Sequence, residues 1–157
     1  MGYAQDILNQ GLNENATYDA VFTAIHKKYP IINDKNLSTL SPGERAFILT
    51  RDLSGRVSVG GFDAYFLNTQ CRAIYETIRC FALIGATNDL DIIRRAVQVA
   101  KIPDPLPANF EYPPYGDDDT SEMEAELHRL DSEFYRSKPA LSHLLVEYFK
   151  KHPEEFA

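Results

Sequence analysis

The sequence lacks two features that would place the protein in or across a membrane. No run of about 18 apolar residues occurs, so we expect no membrane-spanning helix. The first residues carry no basic region followed by an apolar core, so we expect no secretory signal. Only two cysteines are present, Cys71 and Cys80. Nine positions apart on one predicted helix they face opposite sides, so we expect two buried thiols in a reducing cytoplasm.

The patterns that mark catalytic, metal and cofactor sites are also missing. The four histidines are scattered, and no Cys-x-x-Cys or His-x-x-x-His pair offers metal-ligand spacing. The glycine pair Gly60-Gly61 is not followed by the Lys-Ser or Lys-Thr of a phosphate-binding loop. No Gly-x-Ser-x-Gly nucleophile motif is present. We therefore expect no cofactor, no metal, no catalytic residue and no enzymatic activity.

Charge is distributed unevenly along the chain. Residues 1–101 carry 11 Lys and Arg against 10 Asp and Glu, whereas residues 102–157 carry 5 against 13. The formal net charge of -7 therefore lies in the last third. An acidic chain repels phosphates, so we expect no direct binding to nucleic acid. The local basic group of Arg72, Arg79, Arg94 and Arg95 is expected to pair with carboxylates, either within the chain or across a dimer. The acidic third points either to a basic partner or to a solvated surface.

Local signals predict an all-α fold of about six to seven helices, formed by residues 1–157 as a single domain. The clearest is Ser41-Pro42-Gly43-Glu44, a capping box that starts a helix. Gly55 is predicted to end that helix near Leu53. Arg56–Val59 is the only stretch that reads as possible strand.

Gly60-Gly61, followed by an aromatic block, predicts a sharp change of chain direction, which we call the Gly-Gly corner. We expect a central helix, Gln70–Ile84, after this corner and a Pro-rich acidic connector, residues 103–120, packed on the helical body. The remaining predicted helices are Tyr3–Leu12, Thr17–Tyr29, Asn88–Lys101, a helix from about Asp117 to Arg136, and Pro139–Lys151.

Polar side chains beside the corner permit an alternative function. Asp63, Tyr65 and Asn68 would serve best if the corner held an enzymatic or small-molecule site. The competing interpretation of the same residues is a helix cap and buried hydrogen bonds.

Three segments resemble a family of small bacterial helical proteins named for a DNA-mimic protein. Val59–Thr69 resembles the family's Asn-Gly-Gly-Phe-x-Gln-Phe-Phe-x-Asn-Ser run, Phe81–Ala86 its Ala-Leu-x-x-Ile-Gly-Ala segment, and Leu127–Tyr135 its Leu-x-x-Leu-Asp-x-x-Phe-Tyr segment. Val59 and Ala64 depart from the motif, which has Asn and Gln there. The resemblance covers about residues 45–149. Its motif residues are assigned a mainly structural role: Gly60, Gly61, Phe62, Asp63, Tyr65, Phe66 and Asn68.

The resemblance implies an all-α fold, a homodimer, and an acidic surface that binds a DNA-binding regulator by imitating DNA. We therefore expect a cytoplasmic bacterial protein that contacts a basic protein through its C-terminal third. The predicted partner-binding residues are Asp117, Asp118, Asp119, Glu122, Glu124, Glu126 and Glu133. An immunity-type or antitoxin-like inhibitor of a basic toxin is the rival interpretation of the same surface.

Overall fold

A computed structural model describes residues 2–113 and 120–157 of the chain. These residues form seven α-helices and contain no strand, so the predicted all-α class is confirmed. The helices are α1 (Tyr3–Asn9), α2 (Glu14–Lys28), α3 (Pro42–Thr69), α4 (Ile74–Leu83), α5 (Thr87–Val99), α6 (Thr120–Tyr135) and α7 (Leu141–Lys151). Short 3-10 turns lie at Leu37–Thr39 and Pro153–Glu155. None of the described helices has the length and apolar character needed to cross a membrane.

The capping box at the start of α3 is confirmed. The Ser41 hydroxyl accepts from the Glu44 backbone N–H, and the Glu44 carboxylate accepts from the Ser41 N–H. Glu44 is almost fully buried, and its second oxygen accepts from the Tyr3 hydroxyl and from Lys28. One carboxylate therefore joins α1, α2 and the first turn of α3.

The predicted end of this helix at Gly55 is wrong, as is the possible strand Arg56–Val59. Helix α3 continues past Gly55 and runs for 28 residues in all, from Pro42 to Thr69. Leu53 and Val57, one turn apart, are both buried on the same face. A glycine in an exposed helix costs only about 1 kcal/mol relative to alanine, so burial of this face outweighs it.

The predicted change of direction occurs at Gly61, the one residue of α3 with non-helical geometry, at φ 81° and ψ 176°. The expected central helix from Gln70 is corrected, since α4 begins only at Ile74. Gln70, Cys71 and Ala73 have positive φ values and form a turn. Cys71 therefore lies outside the helix that holds Cys80, and both thiols are free and buried.

Two further helix starts differ from prediction by a few residues. Helix α2 begins at Glu14 and not at the predicted Thr17, because Asn13 caps it by accepting from the Ala16 N–H. Helix α5 begins at Thr87 after Ala86, and Asn88 instead donates its side-chain amide to the Lys138 carbonyl. An earlier polar residue thus takes the cap of α2, whereas α5 begins without a side-chain cap.

Helix α3 is the central element, because α2, α4, α6 and α7 all pack against it. Buried side chains from all seven helices form one hydrophobic cluster. The last residues close the end of this core: Phe156 is fully buried against Tyr3, Phe47 and Phe149. A Cβ added at Gly43 would lie 2.5 Å from the Phe156 ring, so the absence of a side chain at this glycine leaves room for the C-terminal segment.

Candidate interaction surface

The Gly-Gly corner is held by a carboxylate from α6. The Phe62 backbone N–H, the first of the half-helix after the kink, donates to Asp131 Oδ1 at 2.8 Å. A Cβ added to Gly61 would overlap Asp131 Oδ2. Burial raises the pKa of Asp131 above its usual value, and the bond from Phe62 opposes that rise. Asp131 therefore caps the second half of α3 across 69 residues of sequence.

Aromatic rings fix the same junction from inside. Phe62 packs edge-on against Phe134 with ring centroids 5.5 Å apart, and Phe81 contacts Phe134 at 6.3 Å. Phe62 and Phe66 are fully buried. The corner, α4 and α6 thus share one buried aromatic cluster, so the aromatic residues of the corner join these elements and have a structural role.

The structure does not bring Asp63, Tyr65 and Asn68 together into one pocket. Asp63 accepts from the Tyr112 hydroxyl at 2.6 Å and so anchors the Pro-rich connector. Tyr65 is buried, and burial raises its pKa to about 12. Asn68 is exposed and lines a separate cleft. This arrangement does not support the alternative of an enzymatic or small-molecule site formed by these three residues at the corner.

The Pro-rich connector packs on the helices, as expected, over its described part. Tyr112 is buried, and its backbone N–H donates to the Gln70 side chain at 2.8 Å. The Tyr75 hydroxyl donates to the Pro103 carbonyl at 2.6 Å. The described part of the connector is therefore held on the helical body at Pro103 and at Tyr112.

The predicted acidic residues differ in how much charge they leave free. Glu122 and Glu124 are exposed on α6. Glu126 pairs with Arg129 one turn later. Glu133 accepts two bonds from the Arg95 guanidinium of α5, at 3.1 and 3.3 Å. Of the four arginines expected to pair with carboxylates, Arg95 therefore does so within the described chain, whereas Arg72 does not. Asp117, Asp118 and Asp119 lie outside the described residues.

The sequence of α6 and of the segment before it has two parts of different charge. Between Lys101 and His128 the sequence has eight carboxylates and no lysine, arginine or histidine. From His128 to Arg136 the sequence has two carboxylates, Asp131 and Glu133, and two arginines, Arg129 and Arg136. The excess of carboxylates over basic residues in this part of the sequence therefore falls on the first half of α6 and on the segment before it.

A second surface feature was missed by the sequence analysis. A cleft of about 760 Å³ lies between α2, the connection after it, α3 and the turn before α4. Arg51, Arg56 and Arg72 line it, together with Phe22 and His26. No local motif marks this cleft, since its walls come from positions that lie far apart in the sequence.

The remaining reactive groups are poorly suited to catalysis. Burial raises the pKa of Cys71 to about 12 and that of Cys80 to about 11, so neither thiol ionises near neutral pH. Among the described residues, His152, Glu154 and Glu155 could jointly approach a metal ion. However, the Glu155 carboxylate already accepts from the Gly43 N–H and the Tyr148 hydroxyl, so it serves the fold.

These observations define an all-α protein with a long kinked central helix, a Pro-rich connector whose described part packs on the helices, and an acidic stretch on one helix. The chain belongs to the DMP19-like protein family, whose model matches residues 38–152. The match spans the helices from α3 to α7, and so includes the Gly-Gly corner and α6. No curated protein and no solved structure matches the chain. The family resemblance is thereby confirmed, and the particular motif residues stay a prediction.

Proposed function

We propose that this chain binds a basic, DNA-binding protein through the acidic stretch of residues 102–127 and inhibits it by imitating DNA. The proposal rests on the family membership and on one observation above the others: eight carboxylates occur there with no basic residue. The proposed contact residues are Asp117, Asp118, Asp119, Glu122, Glu124 and Glu126. Glu126 and Glu133 contribute less than the others, because Arg129 and Arg95 already pair with them.

Helical spacing supports the comparison with phosphates. Glu122 and Glu126 are one turn apart on α6, so their positions differ by about 6 Å along the axis. Two successive nucleotide steps along one DNA strand rise by about 6.8 Å. Acidic residues in the first turn also stabilise a helix through its dipole, which accounts for Glu122. Glu124 and Glu126 lie further from the helix start, where that stabilisation is weak.

Exposed charges of this kind act mainly on the rate of association. They attract a basic partner over distances of about 10 Å at 0.1 M salt, and added salt screens the attraction. The proposed binding is therefore non-enzymatic, fast and weakened by salt. We also propose a bacterial cytoplasmic homodimer, as the resemblance implies.

A charge-matched comparison of baits tests the proposal. One bait replaces Glu122, Glu124 and Glu126 with glutamine. The control bait removes the same charge elsewhere, through D6N, D19N and E76Q. Each bait is exposed to native-host lysate at low and high salt, and any captured basic protein is purified and titrated directly. Its affinity should fall for the α6 variant and stay unchanged for the control.

Two further readings decide the class of partner. Duplex DNA should compete with the chain for a DNA-binding regulator, and oligomeric state can be measured by light scattering. Equal affinity of the partner for both variants would overturn the acidic-surface proposal. A captured toxin whose activity falls on binding, without competition by DNA, would instead support the immunity-type alternative.

A further inference from the structure

The cleft between α2 and α3 has the size and lining of a small-molecule site. Its volume of about 760 Å³ falls within the range of about 300–1,000 Å³ typical of ligand pockets. Apolar side chains, including Phe22, Ile48 and Leu49, form part of its wall. Polar side chains line the rest of the cleft. The cleft could therefore cover the apolar part of a ligand while a few polar groups fix the ligand's orientation.

The polar groups in the cleft favour an anion. Arg51, Arg56 and Arg72 face it, against the carboxylates of Asp34 and Asp52. Arg56 is occupied, since its Nε donates to Asp52 at 3.0 Å. Within residues 2–113 and 120–157, neither Arg51 nor Arg72 has a carboxylate within ion-pair distance. The chain as a whole is acidic, with a net charge of -7, so a cleft lined by two such guanidinium groups differs from the chain's overall charge.

Arg51 is also held in place before any ligand arrives. Its guanidinium carbon lies 3.7 Å from the centre of the Phe22 ring and 5.6 Å from that of Tyr18. Stacking on an aromatic face leaves the edge of the guanidinium free to donate hydrogen bonds. Arg72 approaches from the turn before α4, where its Nε donates to the Thr69 carbonyl at 3.2 Å. Asn68, which is exposed, lines the same cleft.

We propose that this cleft binds a small organic anion: an aromatic or aliphatic body carrying one phosphate, sulfonate or carboxylate group. Arg51 and Arg72 donate to the anionic group, and the apolar wall covers the body. The inference is independent of the acidic-surface proposal, because the two sites share no residue.

Two fluorescent probes that differ by one charged group test it. The probe 8-anilinonaphthalene-1-sulfonate has an aromatic body and a sulfonate, whereas N-phenyl-1-naphthylamine lacks the sulfonate. The sulfonate should bind the native chain at one saturable site, and the neutral probe should bind more weakly. R51Q and R72Q should each weaken binding of the sulfonate about tenfold, as expected for a lost charge-assisted hydrogen bond. R94Q, an exposed change on α5 outside the cleft, should have no effect.

The position of binding is read independently by backbone amide chemical shifts. The sulfonate probe should shift resonances of residues 22–26, 48–56 and 68–73. The inference is overturned if no saturable binding occurs, if all variants bind the sulfonate equally, or if the shifts map elsewhere. Circular dichroism checks that each variant folds. If R51Q does not fold, R72Q alone tests the inference.

Discussion

Replacing Gly61 with alanine should be among the most damaging single changes in this protein. Alanine at φ 81° and ψ 176° occupies a region that only glycine enters freely, which costs roughly 1–3 kcal/mol. The new Cβ would overlap Asp131 Oδ2, so the carboxylate must move away from the Phe62 N–H. Loss of a hydrogen bond to a charged group costs about 1.5–3 kcal/mol. The free energy of unfolding should therefore fall by about 3–5 kcal/mol.

The same substitution at Gly55, earlier in the same helix, provides the control. A side chain there would meet no atom within 4 Å, so G55A should stabilise the protein by up to about 1 kcal/mol. Urea denaturation measures both values. The D131A change in the G61A background should cost less than in the native chain, because both remove the same hydrogen bond. A loss below about 1 kcal/mol for G61A would refute this account of the corner.

Three further outcomes are expected. F156A should lower the free energy of unfolding by about 3–5 kcal/mol, measured by urea denaturation, because the ring is fully buried. Y112F removes the hydroxyl that donates to Asp63, so it should cost about 1–3 kcal/mol and speed proteolysis within the Pro-rich connector. Cys71 and Cys80 should react with Ellman's reagent at about pH 8 only as fast as the chain unfolds.

The thiols also imply a pH dependence of stability. The pKa of Cys80 is about 11 in the folded chain, against about 8.5 for a free thiol, so folding favours the protonated form. The stability that this difference contributes is complete below about pH 8.5 and is lost as the pH rises towards 11. Rapid labelling of both thiols in the native protein would contradict the burial of these groups. A free energy of unfolding that stays constant between about pH 8.5 and 11 would contradict the raised pKa of Cys80.

The sequence predicted those features that depend on neighbouring residues. The capping box of Ser41 and Glu44 was found because its two partners are close neighbours along the chain. Gly61 was correctly placed at a change of direction, but its partner Asp131 lies far along the chain, on α6, and carries no local signal. Gly55 was misread because its conformation is decided by the burial of Leu53 and Val57, a tertiary effect.

The surface was harder to predict than the fold for the same reason. Counting charges found the acidic third of the chain, but it could not show that Glu133 lies beside Arg95. The cleft lined by Arg51 and Arg72 depends on α2, α3 and a turn meeting in space. Patterns along the chain identify which residues are charged; only packing decides which of those charges remain available to a partner.

The burial of Phe156 has a practical consequence for attaching the protein to a solid support. The segment that carries this ring runs back across the start of α3, and Ala157 reaches Lys28 and lies against Gly2. Residues 2 and 157 are therefore neighbours in space. A tether fused at either end would leave the molecule from the same point and present the same faces to solution, so immobilised baits of both kinds should capture the same partners.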